Sequence, residues 1–358
     1  MEQLEKKVAL DETRLHELML KVVTEIGAAA NGALLLLGDK LNLFKTLAKE
    51  GPMTSGQLAD ATGTNERLVR EWLSTQAASG FVEYDNELNN FYMTPEQAAV
   101  MGDDESPFTM TGTFYSISSI YHDEPKVREA FKTGKGVGWG DHDGCLFCGV
   151  AKFFKPLYKN NLINNWIPAL KGVQDKLTEG IKVADVGCGH GISTILMAEA
   201  FPNSEFTGYD FHEPSIIHAR DLAKEMGLKN VSFEVASAKD YPGSKYQFIT
   251  IFDALHDMGD PVGAAAYARK VLDKDGTLMV VEPFANDSLQ ENLNPVGRIY
   301  YAYSTMICTP NSLSQEVALG LGAQAGKAKI TEVLKQGGFN SVGIAVETPF
   351  NLIFEARG

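Results

Sequence analysis

The sequence predicts an α/β fold: a largely parallel sheet with helices on both faces, behind a mainly helical N-terminal domain. Three observations predict it. From Ile181 onward, short apolar stretches alternate with amphipathic ones, the pattern of strand and crossover helix. A glycine-rich turn, Gly187–Gly191, joins the first of these strands to a helix. Upstream, between Thr54 and Thr94, two short helical stretches and an alternating hairpin follow one another.

In chain order, Leu15–Leu37 repeats Leu, Met, Val, Ile and Ala at three- and four-residue spacing, which predicts one or two helices. Gly38–Leu47 is a further amphipathic helix, and Gly51-Pro-Met-Thr-Ser55 breaks the chain. Thr54–Asp60 opens a helix, Gly63-Thr-Asn65 turns, Glu66–Ser79 forms a second helix and Gly80 ends it. Phe81–Tyr84 and Asn90–Thr94 then pair about Asp85-Asn-Glu87. Helix, turn, helix and hairpin make a winged helix, and residues 1–100 are assigned to it. Such modules often read DNA through a basic second helix. Here residues 40–100 hold five Lys or Arg against eight Asp or Glu, and Arg67 and Arg70 sit beside Glu66 and Glu71. No nucleic-acid partner is expected. The apolar helix Val22–Leu37 has more hydrophobic surface than a small domain buries, so the module is read as a homodimerisation domain.

Residues 101–170 form a helical connector and substrate lid, dense in aromatic residues. Gly134–Gly144 is loop-like because of its glycines, and is read as a flexible segment able to close over a ligand. Trp139, His142, Phe147, Phe153 and Tyr158 are assigned to an apolar substrate wall, with Met258 and Tyr303 added from the third segment, 171–358. That segment carries strands at Lys182–Val186, Glu205–Tyr209, Val231–Val235, Phe248–Phe252 and Gly276–Val281. The helices between them start near Ile192, Pro214, an uncertain point after Ala238, and Asp260. Ser341–Glu347 and Asn351–Glu355 are expected to pair about a Thr348-Pro349 turn.

Composition narrows the class. The chain has 358 residues, enough for two domains, with 44% hydrophobic and 22% charged residues. A net charge of −14 argues against anionic partners such as nucleic acid or membrane lipid. Met1–Lys7 lacks the apolar core of a signal peptide, and the run Ala33–Leu37 is too short to span a bilayer, so the chain is read as cytoplasmic. Of the four cysteines, Cys145 and Cys148 form a single C-x-x-C with His142 nearby. A second pair is missing, so no metal is expected and the two thiols are read as pocket or core lining.

The turn Val183-Ala-Asp-Val-Gly-Cys-Gly-His-Gly191 carries the main chemistry. Glycines let the backbone turn sharply and approach a ligand, and the following helix aims amide donors at it. A dinucleotide site wants G-x-G-x-x-G, but the third position is Ile192 or Thr194. That disfavours a nicotinamide oxidoreductase. The pattern D-x-G-x-G-x-G instead resembles the first motif of class I S-adenosylmethionine-dependent methyltransferases, whose sheet is Rossmann-like and ends in a reversed strand. The resemblance implies S-adenosylmethionine as cofactor and S-adenosylhomocysteine as product. Asp185, Gly187, Gly189 and Gly191 are assigned to its site. Asp210 stands at the spacing where an acid meets ribose hydroxyls, Phe211 follows it, and Ser237 and Ala238 match an adenine-contacting stretch. Asp253 is added to this set. His190 is read as a turn residue near the cofactor's polar end.

The second motif is Phe252-Asp-Ala-Leu-His-Asp-Met-Gly-Asp-Pro261, beyond the end of a strand, where ligands of such sheets bind. It resembles the stretch carrying the catalytic base of plant small-molecule O-methyltransferases. That match implies His256 as base, Asp257 as a neighbour that contacts substrate or orients the site, and Glu282 as the carboxylate orienting the imidazole. The plant pattern has a further Glu from a later helix; here Gln324 is the nearest polar residue. Over nearly its whole length, through Gly138-Trp-Gly-Asp-His-Asp-Gly-Cys-Leu-Phe147, Thr309-Pro-Asn-Ser-Leu-Ser314 and Gly320-Leu-Gly-Ala-Gln-Ala-Gly326, the chain resembles a group of winged-helix methyltransferases of unassigned substrate. The expected activity is methyl transfer to a hydroxyl of a small aromatic or heterocyclic molecule. N- or C-methylation by positioning alone, and a ligand-binding winged-helix regulator, are the alternatives.

Overall fold

A computed structural model of the protein describes residues 10–358; the segment Met1–Lys7, read above for a signal peptide, lies outside them. The chain divides after Phe114 into two compact units, so the stretch assigned to a separate connector, 101–170, is shared between them.

The first unit opens with one continuous helix, Glu12–Lys40, of 29 residues. Asp11 caps it by accepting the Arg14 N–H. By length and composition this helix is long and apolar enough to cross a membrane, which the short run Ala33–Leu37 did not suggest. Its Leu18, Met19, Val22, Val23 and Ile26 are exposed, whereas Asn31, Leu35, Gly38 and Asp39 are buried. Helices Leu43–Glu50, Ser55–Thr62 and Glu66–Ala78 follow, then the hairpin β1 (Glu83–Asp85) and β2 (Asn90–Tyr92). Thr54 and Gln57 close a reciprocal capping box at the start of Ser55–Thr62. Phe44, Leu47, Leu58, Trp72 and Leu73 form the core, with Phe44 edge-on to Trp72 at 4.7 Å. Arg67 and Arg70 pair with Glu71 and Glu66 one helical turn away, at 2.5 and 2.6 Å, which neutralises the two cations of that helix locally.

The second unit is built on a seven-stranded sheet. In chain order its strands are β3 (Lys182–Val186), β4 (Glu205–Asp210), β5 (Val231–Val235), β6 (Tyr246–Phe252), β7 (Leu272–Pro283), β8 (Ser341–Glu347) and β9 (Asn351–Arg357). In space they run β5-β4-β3-β6-β7-β9-β8. The first five are parallel and β9 is antiparallel to both β7 and β8. The strand order reverses at β3, which has β4 on one side and β6 on the other. A crevice opens at such a reversal, beyond the carboxyl ends of the strands.

Each face has its own apolar layer. Ala264, Ala265 and Ala268 of helix Pro261–Val271 and Ile330, Val333 and Leu334 of helix Gly326–Gln336 cover one. Trp166, Leu177, Met197 and Phe248 lie in the other. Helices Ile192–Ala200 and Glu213–Glu225 begin where the sequence places them, but none follows Ala238. That connection is a tight Ser237–Asp240 bridge leading through Pro242 and Gly243, residues that disfavour helix.

Candidate functional site

The turn after β3 takes left-handed backbone at all three glycines, with φ of 74°, 52° and 76° at Gly187, Gly189 and Gly191. Their surroundings differ. A Cβ at Gly187 would come within 2.9 Å of the Ala254 methyl, whereas one at Gly189 would meet nothing within 4 Å. Gly187 therefore permits close approach of two loops, and Gly189 presents bare backbone to open space. A Cβ at Gly191 would meet the Phe233 ring at 2.6 Å, so this glycine serves helix packing and does not line the cavity.

Asp185 was assigned to the cofactor, but it lies fully buried beneath the turn and outside the cavity wall. Its carboxylate accepts from Ser193 Oγ (2.7 Å), Thr194 Oγ1 (2.6 Å) and Thr250 Oγ1 (2.8 Å). Burial pushes its pKa up, against these three donors. The knot ties the turn to its helix and to β6. Asp210, at the end of β4, does line the cavity. Its two oxygens accept the Gly189 N–H (2.9 Å) and the His212 N–H (2.8 Å). Burial raises its pKa and these two amides lower it.

The cavity has a volume of about 370 Å³, the size of a small-molecule site. Phe211, Ser237 and Ala238 line it on the Asp210 side, and Trp139, Phe147, Phe154, Tyr158 and Met258 supply an apolar wall. His190 lines it too, its ring tilted against that of His218 with centroids 4.2 Å apart. Burial, then His218 and His212, lower its pKa to about 4. Asp253 lines the cavity with a left-handed φ of 45°. It accepts from Tyr158 Oη (2.7 Å) and Asn351 Nδ2 (3.1 Å). Burial pushes its pKa up to about 7, against the Tyr158 bond.

Several assigned residues stand elsewhere. Phe153 packs on Phe154, which takes its place in the wall. Tyr303 bonds Ser116 at 2.8 Å and does not reach the cavity. His142 is buried behind Trp139, with Nδ1 on Asp123 Oδ2 at 2.9 Å. Cys148, read as lining, is exposed on helix Cys145–Asn161. Gln324 donates to the Phe284 and Ala323 carbonyls and is absent from the cavity wall. The glycine loop is pinned: the Val137 N–H donates to Pro310 O (2.9 Å) and the Trp139 N–H to Asn311 Oδ1 (3.0 Å). Backbone at Pro310 and Ser314 also fills the space a Gly136 Cβ would take. The fixed anchor is the helix Thr309–Leu313.

The second motif turns as the short helix Leu255–Asp257. Asp257 lines the cavity; His256, the expected base, and Glu282 do not. His256 Nδ1 is 2.6 Å from Glu282 Oε2, and its Nε2 is 3.2 Å from Asp257 Oδ1. Burial alone would lower the pKa of His256, but the two carboxylates raise it well above its ordinary value. The two carboxylates thus favour the protonated imidazole, and of the His256–Asp257 pair it is the acid that meets the cavity. Asn311 Nδ2 and Gln315 Nε2 both donate to the Asp257 carbonyl and fix the turn. Gln315, Asp123 and Cys308 were given no role from the sequence, and Asn311 appeared there only within the Thr309–Ser314 stretch, because all four come from segments far from either motif.

Residues 177–338 match the methyltransferase domain family, and residues 29–102 match the Rv2258c-like winged HTH domain. The chain thus carries a methyltransferase domain with a winged HTH domain ahead of it in sequence, and its sheet has the class I methyltransferase fold. S-adenosylmethionine is the cofactor of this class. The chain is similar to a demethylmenaquinone methyltransferase of Listeria welshimeri, 28% identical over 36% of this chain and 53% of that protein. It is also similar to a ubiquinone biosynthesis O-methyltransferase of Thiobacillus denitrificans, 31% identical over 34% and 51%. The chain thus spans about half the length of the curated relatives it matches. Among solved structures, human N-acetylserotonin methyltransferase in complex with S-adenosylmethionine aligns over 98% of this chain and 99% of its own, with a TM-score of 0.70 at 14% identity. An O-methyltransferase family protein from Burkholderia thailandensis aligns over 98% and 99%, with a TM-score of 0.68 at 16% identity.

The residues present fit the cofactor. Both Asp210 oxygens keep acceptor capacity for a pair of hydroxyls, Gly189 offers unobstructed backbone, and Phe211 gives an aromatic face for a base.

Proposed function

We propose that the protein transfers a methyl group from S-adenosylmethionine to a hydroxyl of a small aromatic or heterocyclic molecule. The observation that carries this is one cavity with a ribose-type acid, Asp210, at one end, an aromatic wall, and Asp257 at the acceptor side. S-adenosylmethionine supplies an electrophilic methyl carbon on a sulfonium. This chain's residues have the remaining tasks. Asp210 receives the ribose hydroxyls, Gly187 and Gly189 let the backbone close on the amino-acid end, and Ser237 and Ala238 border the base. Asp253, fixed by Tyr158 and Asn351, faces the polar end of the same molecule. Phe154, Tyr158 and Phe252 offer ring faces, which favour a cation and exclude water.

The acceptor hydroxyl is assigned to Asp257. Its proton passes to the Asp257 carboxylate, while the neighbouring His256 imidazolium, held by Glu282 on Nδ1, keeps that carboxylate oriented. A burial-raised pKa brings the Asp257 carboxylate nearer to a hydroxyl's own affinity for a proton. Paired acceptors differing only in a ring hydroxyl or a ring amine, incubated with labelled cofactor, test the reading. Label on oxygen is the expected outcome. Label confined to nitrogen or carbon would show that positioning alone suffices.

The exposed apolar residues of Glu12–Lys40 support a second copy of this chain as the partner of that helix, since apolar surface of this extent is rarely left in water. Light scattering should give twice the chain mass, and Val22→Glu with Ile26→Glu should halve it. A wild-type mass of one chain would contradict the dimer. Cytoplasmic placement is proposed with it, on the acidic composition of the chain.

A further inference from the structure

Behind Asp257 lies a buried cluster of three side chains of metal-ligand type. His256 Nε2, an Asp257 carboxylate oxygen and Cys308 Sγ lie within 4.8 Å of one another. Asp257 Oδ1 touches His256 Nε2 at 3.2 Å, yet has no hydrogen-bond partner among the described residues. His142 Nε2 is in the same condition, on a side chain 1% exposed. A buried ring nitrogen without a partner is costly, and in a folded protein calls for an explanation.

The two imidazoles share a second feature. Each has Nδ1 on a buried carboxylate, His256 on Glu282 at 2.6 Å and His142 on Asp123 at 2.9 Å. Carboxylates in that position fix the ring and direct Nε2 at a metal ion in many metalloproteins. The backbone supplies the convergence. His256 and Asp257 come from the short helix Leu255–Asp257, Cys308 ends the π-helical turn Ser304–Cys308, and His142 follows the turn Trp139–Asp141.

We propose that His256 Nε2, Asp257 and Cys308 Sγ bind one zinc-like divalent transition-metal ion, with one coordination position left open. The ligand types select this class. One thiol, one imidazole and one carboxylate suit zinc or cobalt, whereas magnesium and calcium want oxygen throughout. Three protein ligands with one position left open is the pattern of catalytic zinc. On binding, the Cys308 S–H and His256 Nε2–H bonds break, sulfur–metal and nitrogen–metal bonds form and both protons leave to solvent, with Glu282 still holding Nδ1–H. Asp257 lines the cavity, so the open position faces the acceptor. Resting on the methyl-transfer reading, a coordinated acceptor hydroxyl would give up its proton more readily, so the ion would take over the task that Asp257 has without it.

Cobalt(II) is the probe. Full-length protein, stripped with a chelator and titrated with cobalt(II), should develop a thiolate-to-cobalt charge-transfer band that saturates at one ion per chain and is displaced by zinc. Cys308→Ser should abolish the band, and Cys148→Ser, which changes the exposed thiol, should leave it intact. Glu282→Gln should weaken cobalt affinity by about 10- to 100-fold; this variant covers the case in which Cys308→Ser does not fold. No band in the wild type, or a band retained in folded Cys308→Ser, overturns the proposal. So does unchanged affinity in Glu282→Gln. Binding of S-adenosylhomocysteine, followed by calorimetry on the same stripped sample, separates the two readings. Cofactor binding without a cobalt band removes only the metal site. A band without cofactor binding removes only the methyl-transfer reading.

Discussion

Asp210→Ala is expected to weaken S-adenosylhomocysteine binding by about 100-fold or more. The carboxylate has two tasks that alanine cannot perform. It accepts the Gly189 and His212 amides at 2.9 and 2.8 Å, which hold the glycine turn against the end of β4. Its remaining acceptor capacity faces the cavity. Hydrogen bonds to a charged group contribute about 1.5–3 kcal/mol each. Losing two to the ribose hydroxyls therefore costs about 3 kcal/mol or more, roughly two powers of ten. Asp210→Asn should fall between, because it keeps one acceptor oxygen and loses the charge. Calorimetry checks the series. A thermal melt of each variant in buffer separates loss of the turn from loss of the ligand contact, since the turn is also held by Asp185 through three hydroxyls.

The second large effect is expected at His256. His256→Ala should lower turnover by about 10²- to 10⁴-fold, the usual range for a proton-transfer group, with S-adenosylhomocysteine affinity unchanged. His256 does not line the cavity, so its removal leaves the cofactor's contacts alone. It does leave Asp257 and Glu282 without the cation between them. The buried carboxylates then repel, and the Asp257 carboxylate that takes the acceptor proton loses its orientation. Glu282→Gln should lower turnover for a related reason: it leaves the ring without the anion that keeps it charged. Single-turnover rates check both variants. A wild-type rate in His256→Ala would exclude this residue from the chemistry and leave positioning by the aromatic wall as the mechanism.

The parts of this site that follow a local rule were legible in the sequence. Left-handed glycines mark the turn, and the distance from there to Asp210 is set by one helix and one strand, so both could be read from spacing. The strand ladder was legible for the same reason, since parallel strands buried on both faces need continuous apolar runs. Side-chain direction was not. Phe147, Phe153, Phe154 and Tyr158 crowd one helix, and which of them faces the cavity depends on helix phase, so Phe153 and Phe154 exchange roles. At Leu255–Asp257 the chain turns within three residues, and sequence gives no sign that Asp257 looks into the cavity while His256 looks away. Asp185 and Gly191 belong to the turn's motif but act on its packing, a distinction that only their neighbours Thr250 and Phe233 reveal. Long-range partners such as Cys308 and Asn351 have no spacing signal at all. The absent helix after Ala238 is the exception, since Pro242 and Gly243 stood in plain view.

The measurement closest to the central claim is a calorimetric titration of S-adenosylhomocysteine into the wild-type chain and into Asp210→Ala. The account predicts saturable binding at one site per chain in the wild type and a loss of about 100-fold in the variant. Absence of binding to the wild type at millimolar ligand, or equal binding by folded Asp210→Ala, would contradict it.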